Sequence, residues 1–173
     1  MSESLGAPLP APPDPLGRWL FHISRGLAAF GGLVLVAITL MSVASIASRA
    51  LTSRGLLGDF ELVQLGCAVA VAAFLPWGQM RGNHVVVDFF TEGLRARGKD
   101  WLDAIGAALM ALCAAVVAWR MVIGTVDLRA SQESSMLLGV PTWYAYALMT
   151  PSFAVLAATA LYTAWIKLKG RRP

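Results

Sequence analysis

Four apolar stretches, each long enough to cross a bilayer and each free of Asp, Glu and Lys through its middle, constrain this chain more than any other feature. They run from Leu27 to Ala47, Leu62 to Met80, Ala104 to Val126 and Trp143 to Ile166. The first, 21 residues long, rises about 30 Å as an α-helix, which matches the hydrocarbon core. With 57% of its 173 residues hydrophobic and 14% charged, the chain cannot hide four such blocks in a water-soluble core. The reading is an all-α integral membrane protein with four transmembrane helices and short interfacial amphipathic helices. A signal peptide has a shorter apolar region, so the first block is expected to stay in the mature chain. Pro76 and Pro151 fall inside the second and fourth blocks, where each removes a backbone donor and is expected to kink its helix.

The chain between the blocks carries the charge. Residues 1–15 hold five of the nine prolines and few bulky apolar side chains, which predicts a disordered cytoplasmic tail. A membrane domain over 16–166 and a basic tail over 167–173 complete the organisation. Of the 14 Lys and Arg, ten fall in the N-terminal segment, the second connection and the C-terminus. Arg49, Arg54, Arg120 and Arg129 make up the remaining four on the opposite side. The excess of positive charge places both termini in the cytoplasm. Cys67 and Cys113 both sit within apolar blocks, where a thiol packs as a small hydrophobe and a disulfide is not expected.

Two segments are amphipathic at helical spacing. From Leu16 to Leu27, Leu20, Ile23 and Leu27 share a face beside Trp19; from His84 to Arg97, Val86, Phe89, Phe90 and Leu94 recur at intervals of three and four. Both are read as interfacial helices on the cytoplasmic side. Small residues recur four apart at Gly66 and Ala70, at Ala107, Ala111 and Ala115, at Ala114 and Ala118, and at Ala154 and Ala158. Such spacing lets helices approach closely in lipid, within one chain or against another membrane protein.

Several chemistries find no support in these residues. A proton-coupled carrier acting alone generally needs an ionisable group at mid-membrane, and a midplane substrate site is generally built from paired broken helices. Neither pattern is present. His22 and His84 are too few and too close to the membrane edge for a metal or buried haem site, so no cofactor is expected. There is no phosphate-binding G-x-x-x-x-G-K-[ST] loop and no G-x-G-x-x-G turn. A hydrolase built from Ser134, His84 and Glu133 is split by the membrane on the predicted topology. The chain is read as not an enzyme.

Polar residues stand out at the span boundaries. Arg49 closes the first helix and Glu61 opens the second, which suggests either an ion pair across a short hairpin or simple interfacial anchoring. Arg120, deep in the third block, either snorkels outward or pairs with Glu61 or Asp127. His84 and Asp88 stand four apart on the second amphipathic segment. Glu133, Ser134, Pro141 and Trp143 frame the turn into the fourth helix, with Trp143 as an interfacial anchor.

The order of these features resembles the small permease subunit of TRAP (tripartite ATP-independent periplasmic) transporters. The likeness rests on Arg49 before an outer loop, Glu61 at the start of helix two and the Arg81-Gly-Asn-His84-Val-Val-Val-Asp88 stretch. It also includes Glu133-Ser-Ser, then Leu138-Gly-Val-Pro141-Thr-Trp143, over residues 20–166. The resemblance implies a bacterial inner-membrane protein that partners a large multi-helix permease holding the substrate and sodium sites. A periplasmic binding protein would deliver substrates such as organic acids. Arg49, Glu61, Arg120, His84, Asp88, Glu133, Ser134, Pro141 and Trp143 are then candidate partner-interface or structural positions. Two rivals remain from the residues alone: a self-sufficient homo-oligomeric carrier or channel with Thr39, Ser42 and Gln64 along its path, and a membrane anchor for a redox complex.

Overall fold

A computed structural model describes residues 14–52, 58–81 and 96–168, with side chains of the third helix described from Trp101 onward. Four helices account for nearly all of it: α1 (Pro15–Thr52), α2 (Asp59–Met80), α3 (Ala96–Ser131) and α4 (Trp143–Leu168). All four are long and apolar enough to cross a membrane, and the chain is an all-α, multi-pass membrane protein. The His84–Arg97 segment, with His84 and Asp88, lies outside the described residues apart from its last two positions, which begin α3.

Pro15 opens α1 at a position where its missing N–H costs nothing, and the Asp14 carbonyl accepts the N–H of Arg18 at 3.0 Å. From there α1 continues unbroken for 38 residues, about 57 Å. The Leu16–Leu27 segment is therefore continuous with the first span and not a separate helix. Its inner side continues the packing face of α1, burying Leu20 and Ser24, while Trp19 stays exposed. Both α2 and α4 also run on through Pro76 and Pro151 without interruption.

The helices do not close into a ring. α1 packs on α2, α2 on α4, and α4 on α3, with a slighter contact between α1 and α4. The layer order is thus α1, α2, α4, α3, two antiparallel hairpins joined through their second helices. Because α2 and α4 both start at the same end, they run parallel.

Small residues set each seam. A Cβ on Gly31 would lie 3.0 Å from the Ala73 Cβ and 3.1 Å from the Ala70 carbonyl, so α1 and α2 nearly touch there. Gly66 likewise gives its space to Ile38. Buried positions include Ala70, Ala72, Ala73 and Pro76 on α2 and Ser152, Leu156, Thr159 and Ala160 on α4, the two helices at the middle of the layer. Thr159 satisfies its buried hydroxyl within its own helix by donating to the Leu156 carbonyl at 2.9 Å.

On α3 the buried positions are Ala104, Ala107, Ala111 and Ala114. Their alternating steps of three and four keep them on one face, whereas repeated steps of four drift about 40° each time. Ala115 is accordingly exposed, as are Ala154 and Ala158 on α4. The outward side of α3 is a row of large apolar groups, Ile105, Leu109, Leu112, Val116 and Trp119.

Candidate functional site

At the end of the layer where α1 and α3 finish and α2 and α4 begin, the chain gathers most of its described polar contacts. Asp59, in the first turn of α2, sits opposite the last turns of α1. Its Oδ2 accepts from the Ser45 hydroxyl at 2.6 Å and from the Arg49 guanidinium at 3.1 Å, and Oδ1 accepts its neighbour Phe60's N–H at 2.8 Å. The Arg49 ion pair is therefore with Asp59 and not with Glu61. Two residues on an α-helix are about 200° apart, so the two acids of this turn face opposite ways. Asp59 looks back to α1 and leaves Glu61 for the other hairpin.

Glu61 takes hold of the loop between α3 and α4. Its two carboxylate oxygens accept the backbone N–H groups of Leu137 and Leu138 at 3.1 and 3.2 Å. Consecutive N–H groups converging on one carboxylate form a small anion cradle. The loop is shaped for this by its own hydrogen bonds. Ser134 and Pro141 pair as an isolated antiparallel bridge, the Val140 carbonyl accepts the Ser135 N–H at 2.9 Å, and the Ser135 carbonyl accepts the Gly139 N–H at 3.1 Å. Gly139 makes the turn with φ +63°.

One glycine completes the joint. Gly58 caps α2 with φ +78°, and a Cβ there would fall 2.3 Å from Leu138 Cγ. Leu138 is thus seated on the bare backbone just before Asp59. Sequence reasoning did not single out Ser45, Gly58 or Asp59, and it named Leu138 only as the start of the stretch leading to Trp143; the sequence signal for Asp59 is an acid directly after Gly58 at the start of an apolar block.

The remaining candidates divide. The Glu133 carbonyl accepts both the N–H and the hydroxyl of Thr142, at 3.2 and 3.1 Å, which closes the base of the loop. Trp143 is the first residue of α4; its ring stacks on Tyr144 with centroids 4.0 Å apart and faces the Arg129 guanidinium at 5.4 Å. Arg120 stands apart from this cluster, exposed on α3, and makes an ion pair with neither Glu61 nor Asp127. At the opposite end, Lys167 pairs with Asp103 to tie α4 to α3, and Phe21 and Arg81 both lie against Trp77, at 4.9 and 5.0 Å. Among the described residues no group of three His, Cys, Asp or Glu side chains converges as a metal set would.

Residues 35–170 match the family described as "Tripartite ATP-independent periplasmic transporters, DctQ component". The chain belongs to this family. The match covers the capped joint, Arg49 through Trp143, and all four helices apart from the N-terminal part of α1 and the opening residues of the chain. As a DctQ component, the chain is the small permease subunit of a TRAP transporter, from a family of transporter components that work with a large permease and a periplasmic binding protein. Neither a curated protein nor a solved structure matches it.

Proposed function

We propose that this DctQ subunit is the stationary scaffold of its transporter, holding the large permease laterally while that subunit moves. In this reading the joint around Asp59, Glu61 and Leu138 faces the periplasm of a bacterial inner membrane and helps receive the binding protein during ion-coupled uptake of organic acids. Both termini are cytoplasmic, as the distribution of Lys and Arg implies, and the subunit catalyses no reaction of its own. Arg49 and the loop residues Glu133, Ser134, Pro141 and Trp143 belong to the receiving surface. Arg120 contributes on the side of α3, and His84 and Asp88 belong to the cytoplasmic edge.

The observation that carries this reading is where the polar contacts lie. The ion pairs and the carboxylate clamp sit at helix ends, and no Asp, Glu, Lys or Arg occurs between Arg25 and Arg49, Glu61 and Met80, Asp103 and Arg120, or Trp143 and Ile166. A subunit so built has ends that are fixed and a middle with no charged group along which an ion could move.

Purification of the tagged chain from its native membrane in mild detergent should bring down a large permease in fixed stoichiometry, identified by mass spectrometry. Arg49→Glu, which sets two carboxylates against each other at the α1–α2 joint, should lower substrate uptake while leaving the chain inserted. Recovery of the chain only as a homo-oligomer that gives flux in liposomes would overturn the scaffold reading. Unchanged uptake by Arg49→Glu would remove Arg49 from the receiving surface.

A further inference from the structure

A groove of about 510 Å³ between α3 and α4 holds an unusual pair of charges. Its walls include Val117, Gly124 and Leu128 from α3 and Tyr146 from α4, with Arg120 and Asp127 along the same stripe of α3. Gly124 lets the Tyr146 ring lie flush on the helix, since a Cβ there would be 3.3 Å from two ring carbons. Both charged residues are exposed, and among the described residues neither is in an ion pair.

Their depths differ in a telling order. The Arg129 guanidinium lies over Trp143, and Gly124 lies against Tyr146, which fixes the register of α3 on α4. Asp127 is therefore near the level of Trp143, the first residue of α4. Arg120 lies seven residues earlier in α3, about 10 Å deeper into the layer. A guanidinium carried on backbone at that depth is costly without a counter-charge, and its long stem can reach back toward the level of Asp127. The groove thus offers a deep cation, a shallower anion and an apolar wall.

We propose that this groove binds one phospholipid with a primary-amine headgroup, of the phosphatidylethanolamine class. The phosphate, which joins the headgroup to glycerol, lies deeper than the amine, in the same order as Arg120 and Asp127. The Arg120 guanidinium donates to the phosphate oxygens, the headgroup ammonium donates to the Asp127 carboxylate, and an acyl chain lies along Val116 and Val117, deeper than Arg120. A choline headgroup has no N–H to give Asp127, and a glycerol headgroup has no cation. The site therefore discriminates by headgroup amine.

The test uses the full chain purified within its membrane complex, with native mass spectrometry after exposure to phosphatidylethanolamine, phosphatidylcholine or phosphatidylglycerol of matched acyl chains. The wild type should retain one ethanolamine lipid about fivefold more than either alternative, the size of effect one partly shielded ion pair gives. Asp127→Asn should abolish the preference for ethanolamine over choline, and Arg120→Gln should weaken retention of all three. Equal retention of ethanolamine and choline lipids by the wild type would overturn the proposal, as would an Asp127→Asn variant that keeps the preference. So would a photocrosslinker at Val117 that reaches a protein partner and no lipid. If Arg120→Gln fails to fold, the Asp127→Asn result decides alone.

Discussion

Gly58→Ala should do more damage than its size suggests, and the structure says why. At φ +78° an alanine is in the left-handed region, at a cost of about 1–2 kcal/mol. Its Cβ would also sit 2.3, 2.7 and 2.8 Å from three carbons of Leu138. Carbon pairs prefer about 3.5–4.0 Å, so Leu138 must withdraw by more than about 1 Å. Leu138 is only 37% exposed, and losing part of its contact adds about 1 kcal/mol. The sum is about 2–3 kcal/mol, and the backbone N–H groups of Leu137 and Leu138 leave Glu61 with the side chain. Replacing Leu138 by Ala in the same chain removes the steric part and leaves the backbone part. The two substitutions should therefore be non-additive by about 1 kcal/mol in a thermal-unfolding cycle in detergent. Hydrogen exchange at 137 and 138 should accelerate in Gly58→Ala. Strict additivity, or unchanged exchange at those two amides, would refute the idea that Leu138 is seated on Gly58 to hold the loop.

The alanine seam of α3 should be intolerant on one side only: Ala107→Leu should destabilise by about 1–3 kcal/mol through overpacking, while Ala115→Leu should stay within about 0.5 kcal/mol, both read as thermal unfolding of the purified chain. At the other end, Asp103→Asn should cost at most about 1 kcal/mol, since the partners of this ion pair remain partly exposed. Exchanging the two charges, Asp103→Lys with Lys167→Asp, should restore most of the loss in the same assay.

The four helices were legible in the sequence because lipid leaves a long apolar block almost no other choice. Partnering was less so. A sequence places Arg49, Asp59 and Glu61 close to a hairpin but does not say which acid faces α1. That depends on the rotation of α2 about its axis, which the contacts of Gly31 and Ile38 on α1 fix from more than 20 residues earlier in the chain. The clamp of Glu61 on Leu137 and Leu138 is harder still, because the groups it holds are backbone N–H and carry no residue signature. Small-residue spacing pointed to seams in general. It included Ala107 and Ala111, which are buried, together with Ala115, Ala154 and Ala158, which are exposed, because a step of four alone does not distinguish a packing face from its neighbour.

The open order α1, α2, α4, α3 bears on how such a subunit keeps its shape. Lipid supplies no hydrophobic force between helices, so each hairpin depends on close contact of small residues and on polar ties. The Asp59 contacts hold α1 to α2, and the Lys167–Asp103 pair holds α4 to α3. Neither tie crosses between hairpins. The link between them is the packing of α2 on α4 and the slighter contact of α1 with α4, together with Glu61 and Gly58 gripping the loop at one end. Glu61 therefore acts on the whole layer: it adds a polar tie to the packing between the two hairpins, and so stiffens the angle between them, at the end where leverage along the helices is greatest. On the scaffold reading proposed above, resisting a moving neighbour needs stiffness at that angle more than within either hairpin.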